Sequence, residues 1–285
     1  MKDSVIHENI IVRAPISELN DVINEGKLVG SKINFNLLEK FGVFVLRNFF
    51  DKDYISELYL EYKKLLASGE IKRSEFHKTE VRFEDKHLFA KILENTNFLE
   101  LADQFFGGKV GIDFMRIIKK DNSDRDPVFL HQDSGYQVGW YDAYSFFIPL
   151  TECGAENGGL ALYPGTKNFG HLGDVGGIGK ILPVDFPFVQ EHLKPGDVLI
   201  MHAGTWHFST PNISGEERVY LEVNFRAAND PAVKKLLNTS DKREWVLNIG
   251  VTDLFVSSRE QRIKALYQEI NLLKNQLAVT LNDVK

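Results

Sequence analysis

The sequence predicts a mainly β domain with some helix, in which helices precede an antiparallel sandwich or barrel. From residue 109 onward the chain consists of short runs rich in β-branched and aromatic residues, separated by turns rich in Gly, Pro, Asn and Asp. Before residue 109 the apolar residues follow helical spacing instead. No Pro/Gly/Ser-rich linker divides the chain, so we expect the helices to buttress the β core within one domain.

Helix patterns that end at glycine occupy the chain before residue 109. After a poorly patterned opening, residues 35–41 predict a short helix, Gly42 ends it, and VFVLRNF predicts a strand. FLELADQFFGG repeats the pattern of a helix followed by glycine. These segments predict helices that lie beside the sheets.

The longest of these helices is predicted over residues 51–69. Asp51 or Asp53 is a suitable N-cap, because a carboxylate accepts hydrogen bonds from the free amides of the first turn. Apolar residues then recur at helical spacing until Gly69, a residue typical of helix ends. The segment is therefore predicted to be an amphipathic helix with one side in the core.

The strands are predicted in chain order as KVGIDFMRIIKK, AYSFFIPL, GGLALYP, GDVLIMHAG, WHFSTPN and RVYLEVNFR. The last of these runs, residues 218–226, alternates apolar and polar side chains, so it has one apolar and one polar side. A surface strand and a strand that lines a cavity would both show this alternation. The sequence alone leaves these two interpretations open.

Residues 257–285 predict a separate amphipathic helix. Apolar residues at alternating spacings of three and four form a short heptad seam, namely Ile263, Leu266, Ile270, Leu273 and Leu277. This seam suits packing on the same domain or pairing with a second chain into a homo-oligomer, and both interpretations stay open. We therefore divide the chain into a single domain over residues 1–256 and a C-terminal helix over residues 257–285.

Composition argues against several classes of protein. The formal net charge is -6 and no block of Lys and Arg is present, which argues against a nucleic-acid partner. No run approaches the roughly 20 apolar residues of a membrane span, and charges interrupt the opening where a signal peptide would be apolar. The single cysteine, Cys153, excludes an intramolecular disulfide and favours a reducing compartment. We expect a cytoplasmic protein with no membrane partner.

Two side chains that can bind a metal ion occur near the end of an apolar run, in FLHQDSGYQ, although an ordinary hydrogen bond at a strand end would explain such a pair equally well. His131 and Asp133 lie on the same side of an extended chain, because side chains two apart point the same way. A non-haem Fe(II) site commonly combines two histidines with one carboxylate and leaves other positions open. His202 and His207 are both candidates for the second histidine, since both lie in strand-like runs.

A non-haem iron site that uses 2-oxoglutarate also needs a fixed cation. This cosubstrate chelates iron through its keto-acid end, and its far carboxylate must be neutralised inside the protein. Arginine suits that task because its rigid fork binds a carboxylate through two hydrogen bonds and stays charged when buried. Arg218 follows His207 by eleven residues on the polar side of its strand, and Arg226 on the same side is the alternative.

Three segments of the chain resemble a known family, namely HQD, ENGGLALYPGTK and the block from GDVLIMH to Arg218. The family they resemble is the phytanoyl-CoA dioxygenase family of Fe(II)/2-oxoglutarate-dependent oxygenases. The resemblance covers roughly residues 35–228. It implies a double-stranded β-helix, the cupin-like jelly roll, with the N-terminal helices on one sheet and the metal between the sheets. It also implies that His131, Asp133 and His207 bind Fe(II), so that His202 is not a ligand.

The resemblance further implies the cosubstrate site. Ser209 and Arg218 match the family's serine and arginine that bind 2-oxoglutarate, and Lys78 matches a lysine that contributes to the same site. A solvated surface lysine is the alternative for Lys78. Phe147 stands where relatives of known structure carry an aromatic residue beside the cosubstrate, usually tryptophan, and a plain core residue is the alternative.

On this resemblance we expect an Fe(II)- and 2-oxoglutarate-dependent dioxygenase that consumes O2. It would hydroxylate an unactivated C–H bond of a small-molecule metabolite and release succinate and CO2. Asp133 argues against chlorination, because related halogenases lack this carboxylate. Desaturation, epimerisation and ring formation stay open. The alternative is a cupin-like metal-binding isomerase or binding module without oxygenase activity, for which Arg218 would have no use.

Overall fold

A computed structural model describes most of the chain from residue 16 to residue 247 and part of the C-terminal helix. The described residues are 16–71, 78–80, 88–135, 137, 139–171, 182, 186–233, 235–238, 244–247, 267–268, 270–272 and 274–275. The helices are α1 (Ile16–Asn24), α2 (Phe35–Phe41), α3 (Lys52–Ser68), α4 (Leu88–Glu94) and α5 (Thr96–Asp103). The strands are β1 (Val29–Gly30), β2 (Val43–Leu46), β3 (Lys78–Glu80), β4 (Val110–Lys120), β5 (Val128–His131), β6 (Ala143–Pro149), β7 (Leu160–Tyr163), β8 (Val198–His202), β9 (Trp206–Ser209), β10 (Arg218–Ala227), β11 (Lys235–Asn238) and β12 (Glu244–Leu247).

Local sequence signals determine where α3 begins and ends. Asp51, not Asp53, is the N-cap, and its carboxylate accepts hydrogen bonds from the amides of Asp53 (2.8 Å) and Tyr54 (3.4 Å). Gly69 ends the helix with φ of 77°, a left-handed conformation that glycine adopts at little cost. Within the described residues, none of the helices combines the length and apolar character that crossing a bilayer requires.

A helix also forms where the sequence showed little pattern. Leu19 and Val22 of α1 are buried in one cluster with Phe41 of α2 and Trp206 of β9. These partners come from distant parts of the chain, so the apolar side of α1 is completed only in the folded protein. A nine-residue segment of this kind is too short for its own spacing to predict a helix.

Two sheets form the β core. The larger sheet has the strand order β1-β2-β8-β6-β10-β4-β11-β12, with β3 paired to β4, and the smaller has the order β5-β9-β7. Every strand pair is antiparallel except β1 with β2. Leu162 of β7 is buried in one cluster with Phe147, Leu199 and Tyr220 of the larger sheet, so the sheets pack against each other. The predicted mainly β antiparallel sandwich is confirmed.

Helices α2 to α5 pack on the outer side of the larger sheet, and β10 shows how the two sides of that sheet differ. Val223 and Phe225 of β10 belong to one core cluster with Ile55 of α3 and Phe98 of α5. The polar side chains of β10 are buried on the opposite side, each at most 2% exposed, namely Arg218, Tyr220, Glu222, Asn224 and Arg226. The polar side of this strand therefore turns into the space between the sheets and not into solvent.

Most of the predicted C-terminal helix lies outside the described residues. Of the five seam residues only Ile270 is described, and it is helical and 44% exposed. The described neighbours Tyr267 and Leu272 are also helical, and they are 64% and 57% exposed. The division at residue 257 stays a prediction.

Candidate metal centre

Neighbouring strands of the smaller sheet carry the two histidines. His131 at the end of β5 pairs with His207 on β9, and the centroids of their rings are 4.1 Å apart. Asp133 opens a short 3-10 helix directly after β5, where the amide of Ser134 donates to the carbonyl oxygen of Ala203 at 3.0 Å. Strand pairing and this turn therefore bring the three side chains together.

His131, Asp133 and His207 each offer a ligand atom, and these atoms lie within 4.8 Å of one another. Oδ1 of Asp133 is 3.6 Å from Nε2 of His131 and 3.7 Å from Nε2 of His207. Oδ2 of Asp133 is buried without a hydrogen-bond partner. Because a buried carboxylate oxygen without a donor is unfavourable, the cluster is suited to a bound cation.

Backbone carbonyl groups orient both rings of this cluster. Nδ1 of His131 is 2.7 Å from the carbonyl oxygen of Phe129, and Nδ1 of His207 is 3.0 Å from that of Thr205. A carbonyl oxygen only accepts, so each Nδ1 carries a proton, and Nε2 is the ring nitrogen left to bind a metal. This hydrogen bond to the far ring nitrogen is typical of metal-binding histidines.

The electrostatics keep Asp133 and His207 in the forms that can bind a metal ion. Burial and the neighbouring ring of His131 lower the pKa of His207 to about 4, so this ring is neutral near pH 7. Burial alone would raise the pKa of Asp133, but His207, His131 and Arg116 outweigh it and hold that pKa well below its usual range. One carboxylate with two imidazoles fits Fe(II) and leaves coordination positions open.

His202, the other candidate histidine, lies apart from this cluster. Its side chain is fully buried, with Nε2 3.2 Å from Oδ1 of Asp142 and Nδ1 accepting from the amide of Gly204 at 2.9 Å. Both ring nitrogens are therefore occupied by the protein. The geometry favours His207 as the second histidine of the site.

The candidate arginines differ in their partners. Arg226 is 1% exposed and lies between two carboxylates, 3.3 Å from Asp113 and 3.0 Å from Asp230. Arg218 is 2% exposed and forms no ion pair among the side chains that the structure describes. Its guanidinium lies 4.9 Å from the centroid of the Tyr220 ring, and its Nε has no hydrogen-bond partner. A buried cation without a counter-ion is costly, so the structure favours Arg218 for a bound anion.

Of the other predicted cosubstrate residues, Ser209 and Phe147 are buried, and the side chain of Lys78 lies outside the described residues. Ser209 is buried, and its Oγ accepts a hydrogen bond from the amide of Val128 at 3.2 Å. Phe147 is buried with its ring centroid 5.9 Å from that of Tyr220, so it lies between the sheets. The backbone of Lys78 belongs to β3, but its side chain lies outside the described residues.

Sequence reasoning missed a partly buried ion pair close to the cluster of His131, Asp133 and His207. Arg116 on β4 pairs with Glu222 on β10, and its Nε donates to Oε2 of Glu222 at 2.5 Å. Oε1 of Glu222 accepts from the hydroxyl of Ser145 at 2.9 Å. Burial raises the pKa of Glu222, Arg116 opposes this effect, and the charge of Asp133 adds to it. The available signal was the polar position of each residue on its strand, which does not reveal that the strands are neighbours.

Comparisons with known proteins show which family and which fold the chain resembles. The sequence model of the phytanoyl-CoA dioxygenase (PhyH) family matches residues 38–220. The chain is 28% identical over 156 residues to the 1-deoxypentalenic acid 11-beta-hydroxylase of Streptomyces arenae, a match that covers 47% of this chain and 54% of that enzyme. The chain thus spans about half the length of this curated relative.

Solved structures with a similar fold are enzymes of known class. SnoN, an epimerase in complex with Fe3+, alpha ketoglutarate and nogalamycin RO, superposes with a TM-score of 0.56 at 18% identity, over 68% of this chain and 82% of SnoN. EctD from S. alaskensis with bound Fe gives a TM-score of 0.57 at 20% identity, over 67% of this chain and 75% of EctD. At these identities the likeness establishes a common fold, and the predicted double-stranded β-helix is confirmed.

Proposed function

Because this chain belongs to the phytanoyl-CoA dioxygenase family, we propose that it is an Fe(II)- and 2-oxoglutarate-dependent dioxygenase. Its reaction would hydroxylate an unactivated C–H bond of a small-molecule metabolite. One oxygen atom of O2 enters the product and the other enters succinate, which forms from 2-oxoglutarate with loss of CO2. The prediction of Fe(II), 2-oxoglutarate and O2 as cofactors is confirmed at the level of the family.

One observation carries this proposal: a site for a cation and an uncompensated buried cation occur in the same sandwich. The first is the cluster of His131, Asp133 and His207, whose Oδ2 on Asp133 has no hydrogen-bond donor. The second is Arg218, buried without a carboxylate partner among the described side chains. A cupin-like isomerase or binding module has a use for the first feature but none for the second.

The residues of the proposed site have separate roles in binding iron and the cosubstrate. We propose that His131, Asp133 and His207 hold Fe(II), and that Arg218 and Ser209 hold the far carboxylate of 2-oxoglutarate. When bound, iron and 2-oxoglutarate supply the oxidising chemistry that attacks the C–H bond. The carbonyl groups of Phe129 and Thr205 keep both rings in the ligating tautomer.

The surroundings of the site support the same chemistry. Arg218 neutralises the cosubstrate and fixes its orientation, because a guanidinium binds a carboxylate through two parallel hydrogen bonds. The buried ring of Phe147 forms an apolar wall between the sheets that excludes water. Lys78 stays a prediction as a further cosubstrate ligand.

An anaerobic titration tests the proposal. Addition of Fe(II) and then 2-oxoglutarate to the apoprotein should produce a weak visible charge-transfer band that requires both additions. The band should be absent in His207→Ala and retained in His202→Ala, which removes a histidine of the same region but outside the cluster. Succinate release from the aerobic protein is the second readout. Bound metal without a band at saturating 2-oxoglutarate would contradict the proposal and favour the cupin-like alternative.

We also propose that residues 1–256 form the catalytic domain and that residues 257–285 pair two chains. The one seam residue that the structure describes, Ile270, is helical and 44% exposed, which supports this pairing. Light scattering on the full chain and on a chain ending at residue 256 should show a dimer and a monomer with equal succinate release. A monomeric full chain would contradict the pairing. A cytoplasmic location stays a prediction from the single free cysteine, Cys153.

A further inference from the structure

A small cavity opens on the outer side of the larger sheet, away from the metal centre. It has a volume of about 250 Å³ and lies between α2, the turn after α5 and the start of β6. Tyr144, which lines the cavity, belongs to the same core cluster as its cross-strand partner Phe225, on the side of the sheet opposite the polar side chains of β10. The cavity is therefore separate from the space between the sheets.

Aromatic rings form the walls of this cavity. The ring centroid of Phe105 lies 5.3 Å from that of Phe35 and 5.2 Å from that of Tyr144, at interplanar angles of 65° and 64°. The ring centroid of Phe106 lies 5.9 Å from that of Tyr144, at an angle of 56°. The rings are inclined to one another and not stacked, so they surround a space instead of closing it. Because ring faces carry partial negative charge, such walls attract a cation.

The carboxylates of Glu39 and Asp142 add negative charge to these walls. Oε1 of Glu39 lies 3.1 Å from Nζ of Lys167, which balances one of the two charges. Oδ1 of Asp142 lies 3.2 Å from Nε2 of His202, but that ring is neutral near pH 7 because burial lowers its pKa. Burial raises the pKa of the Tyr144 hydroxyl, and the charges of Glu39 and Asp142 raise it further. Among the described side chains, Asp142 therefore has no cation within ion-pair distance.

The backbone turn that carries Phe106 does not itself explain this ring. The φ of Phe106 is +52°, in the left-handed region that bulky residues rarely adopt. Gly107 and Gly108 follow with φ of +64° and +77°, which cost glycine little. Asparagine or glycine would suit position 106 better than phenylalanine, and the ring is only partly buried against the core. Its place in the cavity wall beside Tyr144 gives the ring a use.

We propose that this cavity binds a methylated ammonium group of a small molecule. The rings of Phe105, Phe106 and Tyr144 contact the methyl groups, and the carboxylate of Asp142 offsets the positive charge. A methylated ammonium suits such walls because it is attracted by ring faces and needs few hydrogen-bond acceptors. The cavity volume suits a head group of this size, since sites for drug-sized ligands occupy roughly 300–1,000 Å³. This site is independent of the proposed oxygenase reaction.

Calorimetric titration of the full chain with choline tests the proposal. The neutral probe is the alcohol in which carbon replaces the nitrogen of choline, because it has the same shape without the charge. We expect choline to bind at one site per chain and the neutral alcohol to bind about tenfold more weakly. Methylguanidinium, a flat cation that donates hydrogen bonds, should also bind more weakly than choline. His207→Ala should bind choline like wild type, since the cavity lies outside the metal centre.

Two substitutions each remove one feature of the cavity. Asp142→Asn removes the charge and keeps an oxygen for His202, and Phe106→Asn removes a ring while asparagine tolerates the left-handed backbone. Each should weaken choline binding about three- to tenfold. Glu57→Gln on α3 is the matched control, because it removes an exposed carboxylate that does not line the cavity. If Phe106→Asn does not fold, Asp142→Asn decides the proposal, since that side chain is 73% exposed.

Absence of choline binding by wild type, or equal affinity for choline and the neutral alcohol, would overturn the proposal. Wild-type choline affinity in Asp142→Asn would do the same, and so would loss of choline binding in His207→Ala, which would assign the ligand to the metal centre. Vesicles of phosphatidylcholine distinguish the sources of the group. Cosedimentation that choline reverses would assign it to a lipid, and choline binding without cosedimentation would assign it to a free molecule.

Discussion

Arg218→Met tests the anion site most directly, because methionine keeps much of the side-chain length and removes the charge. In the free protein Arg218 has few partners to lose. Its guanidinium lies over the ring of Tyr220, and Nη1 is 3.5 Å from the carbonyl oxygen of Ile118. Replacing a buried, uncompensated cation by an apolar group should leave the free energy of unfolding unchanged or higher.

The effect on cosubstrate binding should be large. Removal of one partner from a buried, hydrogen-bonded charge pair typically costs about 2–5 kcal/mol, in part because the other charge is left unpaired. At 1.4 kcal/mol per tenfold change, this corresponds to a dissociation constant for 2-oxoglutarate about 30-fold to several thousand-fold higher. Fe(II) affinity should change little, because Arg218 is not part of the cluster of His131, Asp133 and His207.

The assay is anaerobic calorimetric titration of Fe(II)-loaded protein with 2-oxoglutarate, with thermal unfolding measured on the same samples. Arg125→Met is a suitable control, since it removes an exposed arginine by the same substitution. Unchanged 2-oxoglutarate affinity in Arg218→Met would refute the reasoning about the uncompensated cation. A large loss of stability without ligand would show that the guanidinium has a structural partner instead.

Other substitutions test neighbouring parts of the site. His207→Ala should abolish stoichiometric Fe(II) binding, measured by metal analysis, whereas His202→Ala should retain it; the reverse result would exchange the two histidines. Arg226→Met should lower the free energy of unfolding by about 3–5 kcal/mol in urea denaturation, because Asp113 and Asp230 lose the cation between them. The affinity for 2-oxoglutarate should change little. Gly42→Ala should lower the free energy of unfolding by at least about 1 kcal/mol, because φ at Gly42 is +71° and the new Cβ would collide with Thr205. The variant should also bind Fe(II) more weakly, because the carbonyl group of Thr205 orients His207. Wild-type stability would contradict this steric argument.

Several elements could be predicted from the sequence because their determinants are local. Asp51 begins α3 and Gly69 ends it through contacts and backbone angles within a few residues. The spacing of His131 and Asp133 likewise needs only an extended chain to bring their side chains to one side. The roles of the residues taken from the family resemblance, such as Arg218 and Phe147, stay proposals, although the structure buries both side chains between the sheets.

What the sequence left open depended on which strands became neighbours. Periodicity places Glu222 on the polar side of its strand, but only the pairing of β10 with β4 brings it against Arg116, 106 positions earlier in the chain. The same pairing places Lys120 beside Arg218. The choice between Arg218 and Arg226 as the anion-binding residue also required the tertiary structure. Both lie on the polar side of the same strand, and they differ only in the carboxylates around them.

The sequence by itself therefore determined the β-rich class, the helix ends and the set of metal-binding residue types, since these follow from composition, spacing and local hydrogen bonds. The tertiary structure decided which side of β10 is enclosed, which charges have counter-ions and which cations lie together. These properties are set by long-range strand pairing and by burial between two sheets. Neither is encoded in the neighbourhood of a single residue.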